Sequence, residues 1–244
     1  MKKRSFLYVF ALTLICIFGL QSCAEESSTT LSFTSSGGVV SPSTAPVVSP
    51  LGTTTSAIKT FTQGTSQISV EKAALVLRRI QFRKTSGPEA DFKTNAFVVD
   101  IKLDNTKNIV AVSQLPFATY DRIKFDIHKL DPIEIAAIDL SKNPEFTEFV
   151  KDNGYSIYVK GTYDNDTTDG ISAKSFEFKN RLNETQVYFL RSPLEIKEGQ
   201  TSIDVNLTVD LDKWFLVGGQ LVDPVDQNNR STIEQNIKAS IKHF

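Results

Sequence analysis

A strict two-residue alternation of apolar and polar side chains is the pattern that most constrains the fold of this chain. It is clearest in residues 203–210, where every second residue is apolar: Ile203, Val205, Leu207 and Val209. Successive side chains of a strand point to opposite faces, so this pattern predicts a strand with one buried face. Residues 122–128 show the same alternation, with Ile123, Phe125 and Ile127 as the apolar set.

Other β-rich segments recur along the chain with turn residues between them: residues 75–83, 96–103, 155–163, 172–179 and 185–190. In the first, alternation places Val76, Arg78, Ile80 and Phe82 on one side. We expect residues 155–163 and 172–179 to form a hairpin around residues 164–170. Short strands separated by turn signals are typical of a sandwich of antiparallel sheets. The sequence therefore predicts an all-β, antiparallel β-sandwich over residues 61–244.

Two segments depart from the strand pattern. Residues 132–150 have helical character in places, with Pro144 opening a possible short helix. Near the C-terminus, Ser231 and Glu234 have the spacing of a capping box, which predicts a helix start. The apolar residues that follow form one stripe: Ile233, Ile237 and Ile241. We expect this C-terminal helix to cover a sheet edge or an open end of the sandwich.

The N-terminus has the features of a secretory signal. A basic start at residues 2–4 precedes a mostly apolar run over residues 6–20, and Leu20, Gln21 and Ser22 lead into Cys23. The apolar run is about 15 residues, shorter than a membrane-spanning helix needs. The pattern predicts a bacterial lipoprotein signal over residues 1–22, with Cys23 carrying diacylglycerol and a further acyl chain such as palmitate. An ordinary cleaved signal is the alternative.

After Cys23 the chain is rich in Ser, Thr, Gly and Pro and carries no charge between Glu26 and Lys59. Such a composition cannot bury enough apolar surface to offset the entropy of ordering. It predicts a disordered tether over residues 23–60, about 110 Å long if its roughly 33 uncharged residues were fully extended. The tether would be a passive spacer or would hold the domain away from the membrane.

Cysteine content and charge exclude several functions. The chain has only Cys16, inside the predicted signal, and Cys23. A mature domain without a free thiol cannot use thiol catalysis, a thiolate metal site or a redox switch. Without the three basic residues of the signal, 24 basic and 28 acidic residues remain, a formal net charge of −4. We therefore expect no nucleic-acid partner, since that needs a basic surface.

The candidate metal ligands lie in the predicted hairpin turn. Asp164, Asp166 and Asp169 offer the hard oxygens that Ca²⁺ prefers. The spacing is wrong for an EF-hand, because Gly170 comes one place late and Ser175 stands where a glutamate is required. Acidic residues are also common in turns for conformational reasons. The segment is a weak calcium candidate, and an ordinary turn is the favoured interpretation.

Three further residues are considered as candidate site residues: Trp214, His128 and His243. Trp214, beside Asp210 and Asp212, is a sugar-stacking platform or a core residue, and the following Phe215 favours the core. His128 falls on the polar face of its predicted strand and His243 in the last turn of the predicted helix. Neither histidine has the spacing of a metal site. The sequence predicts no cofactor and no catalytic residues.

A resemblance to a known family rests mostly on the C-terminal half. The residues that carry it are 209–215, Asp223 with Pro224, Asn229 with Arg230, Ile233, and 236–240, with Leu115, Pro116 and 120–123 upstream. In these, over about residues 70–244, the chain resembles a family of uncharacterised bacterial lipoproteins with a β-sandwich domain of unknown function. The resemblance implies a sandwich in the cell envelope. It implies no catalytic residue, cofactor or ligand.

These observations favour a lipid-anchored protein of the bacterial cell envelope that binds a protein or a glycan and is not an enzyme. A periplasm-facing structural or assembly factor is the alternative, and a hydrolase that uses two carboxylates is third. Ala24 and Glu25 follow Cys23. The aspartate that retains enteric lipoproteins in the inner membrane is absent there, so we expect the outer membrane.

Overall fold

The computed structural model describes residues 28–49, 52–86, 90–200 and 202–243. The predicted signal and Cys23 lie outside these ranges. The described chain contains two α-helices, α1 (Pro132–Ala137) and α2 (Arg230–Ser240). Its strands are β1 (Ser28–Ser36), β2 (Val39–Ser49), β3 (Gly52–Gln63), β4 (Ser66–Lys84), β5 (Ala90–Lys93), β6 (Phe97–Asp100), β7 (Asn108–Gln114), β8 (Ala118–Ile127), β9 (Ile157–Asp164), β10 (Lys174–Asn180), β11 (Glu184–Ile196), β12 (Ser202–Asp210), β13 (Leu216–Val217), β14 (Gln220–Leu221) and β15 (Ile241–His243).

The strands form two main sheets, which confirms the predicted all-β sandwich with a C-terminal helix. The smaller sheet has the order β15-β12-β1-β7. The larger sheet is built on β4, which pairs with β3, β5, β6, β8 and β9, and β11 extends it beyond β8. Pairing is antiparallel except between β1 and β12, which run parallel. The predicted hairpin is present as β9 and β10.

The main core lies between the two sheets. Leu31 and Phe33 of β1 are buried there with the apolar face of β12. From the large sheet, Phe125 meets Phe33 edge-on, with ring centroids 6.4 Å apart. A second, smaller cluster lies on the outer face of the large sheet, under α1 and the segment that follows it, and contains Val76 and Phe146. Full burial of one such side chain contributes about 1.5–3 kcal/mol.

Strand β4 changes its buried face twice along its 19 residues. Its main-core residues are at even, then odd, then even positions: Ile68 and Val70, then Ala73, Leu75 and Leu77, then Ile80 and Phe82. Pairing shifts between Val70 and Lys72 and again between Arg78 and Gln81. An extra residue in a bulge reverses the alternation. The prediction that Val76 shares a side with Ile80 and Phe82 is therefore wrong.

The prediction of a disordered tether reaching residue 60 is wrong from Ser28 onward. Strands β1, β2 and most of β3 lie in that segment, so the sandwich begins at Ser28 and not at residue 61. Residues 23–27 lie outside the described residues. The composition argument failed because Leu31 and Phe33 alternate with serines and threonines, and threonine is well suited to strands. Two apolar residues are enough to give β1 a buried face, because β12 and β7 pair with its two edges and satisfy its backbone hydrogen bonds.

Helix α2 confirms the predicted stripe but not its predicted start. Ile233, Ile237 and Ile241 are buried, and Ile241 already belongs to β15. The N-cap is Asn229, whose side chain makes no capping bond, so the predicted capping box of Ser231 and Glu234 is wrong. The Glu234 side chain instead accepts a hydrogen bond from Asn180 of β10. His243 lies in β15 and not in the last helical turn.

Within the described ranges, no helix combines the length and the apolar character that crossing a membrane requires.

Candidate functional site

A groove of about 690 Å³ lies on the outer face of the large sheet, between β4, the segment before β6, and α1 with the chain that follows it. We call it the arginine groove. Its apolar lining includes Ala96, Leu130, Ile138 and Phe146. Its polar lining includes Arg78, Arg79 and Gln81 from β4, Thr94 and Asn95 before β6, and Glu134 and Asn143 from the α1 side. Ligand sites commonly combine an apolar floor with a few convergent polar groups.

The second bulge of β4 brings two consecutive arginines into this groove. In a regular strand Arg78 and Arg79 would point to opposite faces. Arg79 has a φ of 53°, in the left-handed region that residues other than glycine rarely occupy. Such backbone costs of order 1–3 kcal/mol and persists where the surroundings hold it, often at functional sites. The sequence showed two adjacent arginines but gave no sign of the bulge that places both here.

Asp126 of β8 fixes the Arg79 side chain. Its carboxylate is only 6% exposed, and Oδ2 lies 2.6 Å from both Nε and Nη2 of Arg79. Oδ1 accepts a hydrogen bond of 2.6 Å from the Thr185 hydroxyl of β11. Burial alone would raise the pKa of Asp126, but the bonds from Thr185 and Arg79 and the charges of both arginines lower it below its usual range. Asp126 is therefore a carboxylate at neutral pH.

Arg78 lies between two carboxylates. Its Nη1 is 3.5 Å from Glu134 Oε1, and its Nε is 3.9 Å from Asp126 Oδ2. That Nε is buried and has no hydrogen-bond partner within the described residues. Buried polar atoms are usually satisfied. The two arginines are thus held by charge at one wall of the groove, and about half of the Arg79 side chain remains exposed to it.

A capping box at the start of α1 places Glu134. The Asp131 carboxylate accepts from the backbone N–H groups of Ile133 and Glu134, at 2.9 Å each. In return, Glu134 Oε2 accepts from the Asp131 N–H at 2.9 Å. Pro132 is at the first helical position, which suits its missing N–H. The spacing of Asp131 and Glu134, with Pro132 directly after Asp131, was visible in the sequence and could have located this helix.

His128 lies on the same outer face of the large sheet as Asp126, as the alternation predicts, but it is buried there beside Glu134. It follows the last residue of β8, and its backbone N–H donates to the Val76 carbonyl at 2.9 Å. Its Nε2 is 2.6 Å from Glu134 Oε2, and its Nδ1 is 3.3 Å from Asn183 Oδ1. The alternation indicates the face on which the ring lies but not that α1 supplies Glu134 beside it.

The two carboxylates beside the arginines are engaged by protein groups. Both oxygens of Asp126 accept hydrogen bonds, and Glu134 Oε2 accepts one from the Asp131 N–H and lies beside His128. Acid–base hydrolysis of a glycoside needs one carboxyl group with a raised pKa as the proton donor. The lowered pKa of Asp126 does not suit that role. The arrangement is better suited to holding two guanidinium groups in place.

The calcium candidates Asp164, Asp166 and Asp169 lie in the turn between β9 and β10. Each carboxylate accepts a hydrogen bond from the backbone N–H two residues ahead, at 3.0, 3.0 and 2.7 Å respectively. These bonds stabilise the turn. Across the described part of the chain, no group of three or more His, Cys, Asp or Glu residues is placed to hold a metal ion.

Trp214 is a core residue, as Phe215 indicated. Its side chain is fully buried, and its indole N–H donates to the Ser240 hydroxyl of α2 at 2.7 Å. Phe215 packs edge-on against it, with ring centroids 6.5 Å apart. A sugar cannot stack on a ring that is inside the protein, so the platform interpretation is wrong.

The sequence gave no indication of a buried lysine. Lys59 of β3 lies in the segment predicted as tether, yet its side chain is fully buried. Its Nζ donates to Ser35 Oγ of β1 at 2.8 Å and to Asn105 Oδ1 at 2.5 Å. Burial lowers the pKa of Lys59 to about 8, although the charges of Asp212 and Asp104 act in the opposite direction. Lys59 joins the large sheet, the small sheet and the loop before β7.

No protein-family model matches this sequence, and no curated protein or solved structure matches it. The resemblance to bacterial lipoproteins therefore stays a prediction.

Proposed function

We propose that this protein is a lipid-anchored protein of the bacterial cell envelope, in the outer membrane, that binds a glycan in the arginine groove and does not catalyse a reaction. The single observation that carries the binding function is the pair of arginines held at one wall of a concave site by the buried Asp126 and the partly exposed Glu134. The anchor rests on Cys23 and the signal-like residues before it.

The chemistry of the groove supports a sugar ligand. A sugar ring has hydroxyl groups around its edge and C–H groups on its faces. The groove offers guanidinium and amide groups beside an apolar lining that includes Phe146 and Ile138. Side chains already held in place lose little freedom on binding, which favours affinity. Arg79 meets that condition, because Asp126 contacts it through two nitrogens.

A protein partner is the second candidate, as expected of an assembly factor. Strand β7 is at one edge of the small sheet, and its Ile109 and Val112 are largely exposed. Exposed apolar side chains on an edge strand favour pairing with another chain. A copurifying envelope protein that is lost on Ile109→Lys but kept after a change in the groove would support this candidate over the glycan.

The glycan proposal is tested by blocking the groove. Mature protein in detergent is screened on a glycan array, and affinity for the best ligand is then measured by calorimetry. Ala137 lines the groove at the end of α1, and Ala136 does not. We expect Ala137→Trp to weaken binding at least tenfold, because the indole would fill the site.

Ala136→Trp is the matched control on the same helix, and its affinity should stay within twofold of the unmodified protein. Absence of any glycan ligand, or a ligand whose affinity Ala137→Trp leaves unchanged, contradicts the proposal.

A further inference from the structure

Strand β1 begins only five residues after Cys23. Five residues span at most about 18 Å when fully extended. The predicted tether would have allowed about 110 Å, but its greater part is folded into the sandwich. If Cys23 carries the lipid, as the proposed function holds, the Ser28 end of the sandwich is therefore kept close to the bilayer.

Strand pairing identifies what else lies at that end. Ser28 is opposite Ser202, the first residue of β12, and Gln114, the last residue of β7. The β7–β8 link over residues 114–118 therefore lies there, as does Ile196 at the end of β11, which is opposite Ala118. The end of β4 joins them, because Lys84 is opposite Tyr120. We call this region, residues 83–84, 114–122 and 189–200, the anchor end.

Two exposed aromatic rings lie on the anchor end. Phe117, in the β7–β8 link, is 47% exposed, and Phe189, on the outer face of β11, is 71% exposed. Phe189 is opposite Arg122, whose guanidinium is 5.5 Å from the ring centroid. Arg122 is four residues from the start of β8, roughly 13 Å along the strand. Exposed phenylalanines are among the side chains that surface-bound proteins bury in a membrane interface.

The anchor end is also positively charged. Its described residues include five basic side chains and three acidic ones: Arg83, Lys84, Arg122, Arg191 and Lys197 against Asp121, Glu195 and Glu198. The local charge is thus +2 on a chain whose formal net charge is −1. Basic residues near an anionic lipid surface are attracted to it. Charge and aromatic residues therefore favour the same surface, an anionic bilayer.

We propose that the anchor end docks on the anionic headgroups of the bilayer that holds the Cys23 lipid. Phe117 and Phe189 enter the interface, and Lys84 and Arg122 contact phosphate groups. The arginine groove is farther along the same strands: its lining residue Gln81 is opposite Lys124, which is two residues beyond Arg122, or roughly 7 Å. Docking fixes the orientation of the domain relative to the bilayer.

A depth measurement tests this proposal. The sequence has no cysteine after Cys23, so an introduced cysteine gives a single labelling site in the mature protein. Phe117→Cys and Glu198→Cys place an environment-sensitive fluorophore at the anchor end. Lys142→Cys, on an exposed side chain after α1, is the control. Each lipidated protein is reconstituted into phosphatidylethanolamine–phosphatidylglycerol vesicles that contain a nitroxide-labelled lipid, and quenching is measured.

We expect quenching at residues 117 and 198 to be at least threefold stronger than at residue 142. Equal quenching at all three positions, with the protein still attached to the vesicles, overturns docking and leaves the anchor intact. Protein that does not remain with the vesicles overturns the anchor as well. The label at Glu198 keeps the test valid if Phe117→Cys does not fold.

The contribution of charge to docking is tested separately, by changing the lipid charge and the basic side chains. Replacing phosphatidylglycerol with phosphatidylcholine should reduce quenching at residue 117 at least twofold, and Lys84→Gln with Arg122→Gln should do the same in the original vesicles. Quenching that depends on neither change overturns the part of the proposal that assigns the contact to anionic headgroups.

Discussion

At the scale of single residues, two buried charges are held in very different ways. Asp126 accepts hydrogen bonds from Thr185 and Arg79 and has two arginines beside it, so its ionised form is favoured. Lys59 is bonded to two neutral side chains and has no carboxylate within ion-pair distance among the described contacts, so burial disfavours its ionised form. The contribution of Asp126 to stability therefore changes at acidic pH, and that of Lys59 changes at alkaline pH.

Replacing Asp126 with asparagine should lower the free energy of unfolding at pH 7 by about 1–3 kcal/mol, since charge-assisted bonds to Arg79 are lost. The folded-state pKa of Asp126 is depressed, so its contribution is present above its unfolded pKa of about 4 and is lost as pH falls through the folded value. Urea unfolding at pH 7 and at pH 3 measures this. The difference between the variant and the unmodified protein should shrink at pH 3. Asp204→Asn, on an exposed carboxylate, is the control and should change little at either pH.

The stability contributed by Lys59 should rise with pH between about 8 and 10.5. Its folded pKa of about 8 is below the ordinary value of 10.5, so the unfolded chain binds more protons in this window. Unfolding free energy then increases by up to about 1.4 kcal/mol per pH unit. Urea unfolding at pH 7.5 and pH 9.5 should show this increase in the unmodified protein and in Lys142→Met. An increase that persists in Lys59→Met would contradict the assignment.

At the scale of elements, β1 and β4 determine how the sandwich is built. Strand β1 is central in the small sheet although its sequence is mostly serine and threonine. Strand β4 is central in the large sheet, and its second bulge turns Arg78 and Arg79 toward the groove while returning Ile80 and Phe82 to the core. One strand thus supplies part of the core and part of the candidate site.

Phe33→Ala should lower the free energy of unfolding by about 3–5 kcal/mol, the usual range for truncating a buried phenylalanine. A residue in a disordered tether would show no such effect. Val39→Ala, on a largely exposed side chain at the start of β2, is the matched control and should change stability by less than about 0.5 kcal/mol. Thermal or urea unfolding of both variants distinguishes a folded β1 from a tether.

Local patterns were enough to predict the strands whose alternation is regular. β8, β12 and the β9–β10 hairpin were found because period-two alternation depends only on neighbours in sequence. β1 was missed because its burial depends on β12, 174 residues away. The candidate site was missed because a bulge reverses the alternation at Arg79, and no local pattern marks that position. The buried environment of His128 likewise depends on α1 and Asn183, which strand alternation cannot show.

At the scale of the whole molecule, the proposed anchor, anchor end and groove follow one another along the long axis of β8. The predicted lipid would lie at one end, and the first groove-lining position, Gln81 opposite Lys124, is six residues or roughly 20 Å along β8 from Ala118. In this proposal, attachment to the membrane depends on the lipid at Cys23 and not on a residue of the sandwich.

Cys23→Ser should move the protein from the membrane fraction to the soluble fraction, because two or more acyl chains supply stable attachment and docking alone does not. Fractionation of cells that express the two forms measures this, with the unmodified protein as reference. Cys16→Ser, within the predicted signal, is the matched control and should leave the protein with the membrane. A Cys23→Ser protein that stays with the membrane through washing with high salt would contradict lipid attachment at Cys23.

The parallel pairing of β1 with β12 has a consequence for the order in which this protein can fold. Although β1 is the first described strand to leave a ribosome or a translocation channel, one of its two neighbours is not available until residue 210 has followed. Closing a loop of that length costs entropy before any contact repays it, and topologies of this kind fold slowly. The edge of β1 that pairs with β12 therefore stays unpaired until residues 202–210 have been synthesised. A chaperone that covers exposed strand edges would act during that interval.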